Sequence, residues 1–155
     1  MTKLNASAVG VLLFMCSLSS FAQEHKLPVN EPDYSKPQLF ADLPQKMNLK
    51  ITAMDNLFQL AVGAVISVQV SDAFTFEGTV VSKSDAQDAN VKSIVIRSSN
   101  RQGATFTITR TTDAGGSTSY IGRIMSTKNS DAYEIAMEKG QYVLQKRNLY
   151  DLISE

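Results

Sequence analysis

The stretch VKSIVIRSSNRQGATFTITR, residues 91–110, decides how the rest of the chain reads. Ile94, Ile96 and Ser98 fall on one side of an extended chain, and Ala104, Phe106 and Ile108 fall on one side of a second. A side-chain period of two is the signature of a strand with one buried face. Between the two runs lie Ser99, Asn100, Arg101, Gln102 and Gly103, all turn formers, with Gly103 free to take a positive φ. The stretch predicts a β-hairpin.

The same rhythm continues on both sides of it. Upstream, Ala64, Ile66, Val68 and Val70 alternate with polar residues, Ser71 to Ala73 make a turn, and Phe74, Phe76, Gly78 and Val80 alternate again. Ser82 to Asn90 is a polar stretch that predicts a loop. Downstream, Asp113, Gly115 and Gly116 mark a turn, and strands are expected over Tyr120–Ser126, Ala132–Glu138 and Gln141–Arg147. Seven short strands joined by turns too short for helical crossovers imply a mainly β fold. It is a single antiparallel meander that closes into a small barrel or folds as a two-layer sandwich. One short helix precedes it, expected over Thr52–Leu60, because Met54, Leu57, Phe58 and Ala61 fall on one stripe. Thr52 and Asp55 resemble a capping box at its start, and Gly63 offers a stop.

The first 22 residues read as an export signal, with Lys3 ahead of an apolar run from Ala6 to Met15 and small residues at Ser20 and Ala22. The run is shorter than the ~20 residues a membrane span needs. Cleavage is expected after Ala22, which places the protein in the periplasm or outside the cell. Cys16 is not expected to carry a lipid, because Met15 stands where a lipoprotein site has a small residue. Residues 23–38, with Pro28, Pro32 and Pro37 among charges, read as a tether, and 39–155 as the globular domain.

His25 is the single histidine and Cys16 the single cysteine, so neither a histidine triad nor a zinc site of the usual ligands is expected. A formal net charge of zero argues against nucleic acid as a partner. Asp85, Asp88 and Asn90 carry oxygen ligands in one loop but lack the glycine and distal glutamate of a calcium loop, so a solvated turn is expected. Asp72, Glu77, Asp113, Glu134 and Glu138 single out no catalytic pair. No cofactor and no enzymatic activity are expected. Thr105, Thr107, Thr109 and Thr111 line one face of a strand, and Tyr120, Tyr133 and Tyr142 offer rings for stacking, though Tyr133 alternates with Ile135 and Met137 and is expected in the core. Thr105, Thr107, Thr109, Tyr120 and Tyr142 are therefore the candidate partner-binding residues.

From Phe76 to Leu152 the succession of Gly78, Ile94 to Arg97, Phe106 to Arg110, Gly122 to Ile124, Tyr133 to Ile135 and Tyr142 to Leu144 resembles the β-rich N-terminal prodomains of secreted bacterial zinc metallopeptidases. The chain has no His-Glu-x-x-His element, so the resemblance implies a fold and a class of partner rather than an activity. Two functions are expected on this reading. One is a non-catalytic exported module that binds a protein partner in the envelope or outside the cell through a sheet face or edge. The other is a trans-acting peptidase inhibitor or prodomain-like regulator of a secreted peptidase, in which the tether or a strand-edge loop occupies the cleft.

Overall fold

The computed structural model describes residues 35–85 and 90–153. In chain order these form β1 (Lys46–Asn48), α1 (Ile51–Leu57), β2 (Val65–Ser71), β3 (Phe74–Asp85), β4 (Val91–Ser98), β5 (Thr105–Thr112), β6 (Thr118–Met125), β7 (Asp131–Glu138), β8 (Gln141–Asn148) and α2 (Leu149–Ile153). The strands make one antiparallel sheet in the order β1-β8-β7-β6-β5-β4-β3-β2, curled into a half-barrel. All seven expected strands are present, and the sandwich is not the form taken. Two elements escaped the sequence pattern: β1, three residues long with one buried side chain, and the terminal helix α2.

The expected hairpin is β4–β5, in register from Val91↔Thr111 to Arg97↔Thr105. Its turn closes by Ala104 N–H on the Arg101 carbonyl at 2.9 Å, with Gly103 at φ +83°. Where a loop was expected from Ser82, β3 instead runs on to Asp85, paired with Lys92. A bulge between Val80 and Ser82 shifts the phase, so polar residues continue a strand whose apolar alternation has ended.

The helix is shorter than its apolar stripe. Beyond Leu57 the N–H groups of Phe58, Gln59 and Leu60 bond three residues back, which tightens the chain out of the α-helix. No capping box forms. Lys50 is the N-cap and makes no side-chain capping bond, and Asp55 is engaged elsewhere. Met54, Leu57 and Phe58 are buried in the main core, so α1 plugs the open side of the half-barrel. Lys50 N–H, on the Val70 carbonyl at 2.9 Å, is a backbone bridge from the β1 side to β2.

A chain of edge-to-face rings runs through the core: Tyr133 to Phe40 at 5.1 Å, then Phe74, Phe76 and Phe106. Such pairs add about 0.5–1.5 kcal/mol each beyond buried area. Phe40 is held there by a strap spanning residues 37–45. Asp131, 4% exposed, accepts the N–H groups of Leu39 at 2.6 Å and Phe40 at 3.0 Å. The Lys146 ammonium donates to the Phe40 and Leu43 carbonyls at 2.6 Å each, and the Tyr133 hydroxyl donates to the Pro44 carbonyl. Tyr133 thus lies in the core with its hydroxyl at the rim, as its alternation predicts. Arg101 clasps Asp42 through two bonds at 2.7 and 2.6 Å and lies over the rings of Phe40 and Phe74.

Candidate functional site

The sheet parts at one place. β5 pairs with β6 over eight residues and β7 with β8 over eight, but β6 pairs with β7 over three only, from Arg123↔Glu134 to Met125↔Ala132. Inside the sheet two tyrosines stand at the parting. The Tyr142 hydroxyl accepts the Tyr120 N–H at 3.1 Å, the place a β7 carbonyl takes in a continued ladder. Their rings meet edge to face at 5.4 Å. The Tyr120 hydroxyl in turn donates to Asp55 of α1 at 2.5 Å, and Arg110 reaches the same carboxylate at 3.2 Å while lying over the Phe58 ring. Burial, together with the hydrogen bond to Asp55 and its charge, pushes the Tyr120 phenol up to about 12. At neutral pH it is a neutral donor and a structural one.

The other side of the parting is a groove of about 500 Å³ lined by Thr107, Thr109, Ile121, Gly122, Arg123, Met125, Glu134 and Ile135. The register puts Thr107 beside Arg123 and Thr109 beside Ile121, on the outer face. Gly122 makes the groove deep. With no side chain there, the groove reaches Ile135, a core residue; a Cβ would sit 2.5 Å from the Thr107 carbonyl oxygen and 3.0 Å from the Ile135 Cδ1. Ile121, at the mouth, is 65% exposed. At one end Met125 packs with Leu149 and Leu152 of α2 on Ala132 as a small second core. Glu134 stands between Arg123 at 3.6 Å and Arg147 at 3.4 Å, a polar rim.

Of the sequence candidates, Thr107 and Thr109 line this groove, and the Thr109 hydroxyl shares a 2.8 Å hydrogen bond with Ser93. Thr105 lies one cross-strand row away, between Arg97 and Met125. Tyr120 and Tyr142 form the wedge behind the groove instead of its lining. Ile121 and Met125 were not among the candidates, although the signal was visible: apolar residues out of phase with Tyr120, Gly122 and Ile124 occupy the face expected to be polar.

Asp72 pairs with Lys50 at 2.8 Å, Glu138 with Lys46 at 2.6 Å, and Asp113 accepts the Ser117 N–H of its own turn at 2.8 Å. Among the described residues no three of His, Cys, Asp and Glu gather as metal ligands. Asn90 gives its carbonyl to Thr112 N–H at 2.8 Å; Asp88, the Asp85 side chain, Cys16 and His25 lie outside the described residues. What the groove offers chemically is apolar contact, two threonine side chains and one shared ion pair. No helix among the described residues is long and apolar enough to cross a membrane. No protein-family model, no curated protein and no solved structure matches the chain.

Proposed function

We propose that the chain is an exported, non-catalytic binding module whose groove at the β6–β7 parting receives an apolar side chain of a protein partner. The observation that carries this reading is Ile121, 65% exposed at the mouth of a groove that opens because the β6–β7 ladder stops after three pairs. A pocket with an apolar floor, a few hydroxyls and a polar rim is the usual form of a recognition site. An isoleucine left in water beside it is available area that a partner would bury. The test is a photo-crosslinking amino acid at position 121 in the source cells, with position 118 at the far end of β6 as control. A discrete adduct from 121 alone, lost when Met125 is changed to aspartate, is the expected result; equal labelling from both positions would reject the groove. Deleting residues 23–38 leaves that adduct in place on this reading. Its loss on deletion, with the freed protein no longer holding a secreted peptidase, moves the function to the tether and to the peptidase-regulator alternative.

A further inference from the structure

We infer that β2 is the interface of a two-fold homodimer, formed by antiparallel pairing of Val65–Gln69 with the same residues of a second copy. β2 lies at one end of the sheet order and pairs on one side only, with β3. The other end of the sheet is guarded in the ways edges usually are. β1 is three residues long and carries an exposed lysine, Lys46, paired with Glu138.

β2 has none of these guards. Its seven residues, Val-Ile-Ser-Val-Gln-Val-Ser, include no charge and no proline, and Val65 at its start is 83% exposed, with Val62 just before it at 59%. Long, uncharged and apolar, such an edge is a template for another strand. On its free side a cleft of about 400 Å³ separates β2 from α1. Ala53, Asn56 and Leu57 of α1, with Leu60 just past it, form one wall and Val65, Ile66 and Val68 the strand wall, while no residue of β3 takes part. An added strand therefore has room for its inward side chains between the edge and the helix. The open length ends at Val70, whose carbonyl already takes the Lys50 N–H. Five residues remain, about 17 Å of strand.

What fits this space is an uncharged strand with alternating apolar residues, and β2 itself is one. Charge does not oppose the approach of a second copy. The cleft lining holds no ionisable side chain, Lys50 and Asp72 at its closed end are paired at 2.8 Å, and the whole chain has a formal net charge of zero. Antiparallel pairing of a strand with its own copy is isologous, so it closes at two and does not grow into a fibre.

Sedimentation equilibrium of the full-length protein over the micromolar to near-millimolar range tests this, beside the double variant Val65→Lys, Ser67→Lys. Both side chains are exposed, so the fold tolerates the change, which circular dichroism verifies. A dimer in the parent, weakened at least about tenfold in the variant by the two position-67 lysines set directly opposite each other, with a position-65 lysine diagonal to each, is the expected outcome. Amides of β2 should also exchange more slowly at high protein concentration than at low. A parent that stays monomeric throughout, or a dimer untouched by the two lysines, would overturn the inference. Neither result bears on the groove at β6–β7, which lies on other strands.

Discussion

Gly122 decides the depth of the groove, and the backbone around it has no room for a methyl group. Gly122→Ala forces a Cβ to within 2.5 Å of the Thr107 carbonyl, a backbone atom that cannot swing aside. The substitution should lower unfolding free energy by about 1–3 kcal/mol in urea titration, as overpacking does. Two kinds of titrating group set the pH limits. Tyr120 and Tyr133 are both pushed up to about 12, each first by burial. An unfolded tyrosine ionises near ~10, so the fold holds protons the unfolded chain gives up. Stability present below that pH is lost as pH rises toward 12, and the thermal midpoint should fall over that window. The Phe variants Tyr120→Phe and Tyr133→Phe should flatten the fall. Asp42 works in the opposite direction. The hydrogen bonds from Arg101 hold its carboxyl below the usual range, so its contribution is present above the unfolded value near ~3.9 and fades as pH drops below it. The effect is small, because the carboxylate is 60% exposed and screened by water.

Single turns show how far local chemistry carries the fold. The β7–β8 hairpin turns on Lys139 at φ 48° and Gly140 at φ 79°, the left-handed pair that a two-residue hairpin needs. Lysine is a poor residue for the first of these positions and asparagine a good one. Lys139→Asn should therefore raise stability by about 0.5–1 kcal/mol, read as a shift in the urea midpoint with an unchanged slope. The strands themselves were legible because Ile94, Ile96, Phe106 and Ile108 alternate without interruption. β1 was not, since Lys46, Met47 and Asn48 are too few to show a period, and the strand is defined by its pairing with β8, where Met47 lies opposite Leu144. The apolar stripe overstates the helix for a related reason: Ala61 continues the stripe, yet the backbone has already tightened at Phe58. Thr52 and Asp55 had cap spacing, but Asp55 gains more from Tyr120 and Arg110, partners 65 and 55 residues away.

For the molecule as a whole, alternation specified a meander and left its closure open. The curled half-barrel carries the α1 side chains in its core and the Lys50 to Val70 bridge, both long-range contacts and neither periodic. The candidate site was half legible in the same sense. Thr107, Thr109 and the out-of-phase Ile121 announce an unusual outer face. The parting beneath them rests on the Tyr142 hydroxyl taking the Tyr120 N–H, a contact that no spacing foretells. Everything proposed about binding at this face depends on that parting, so it is the feature to measure first. Amide hydrogen exchange by NMR, residue by residue along β6 and β7, does so. Carried on past Arg123↔Glu134, the register would next set Gly122 against Ile135, a pair that does not form. Slow exchange is expected at Ile124 and Tyr133, and exchange faster by orders of magnitude at Gly122 and Ile135. Uniform protection along all four amides would mean a continuous ladder, and would contradict the groove and the function built on it.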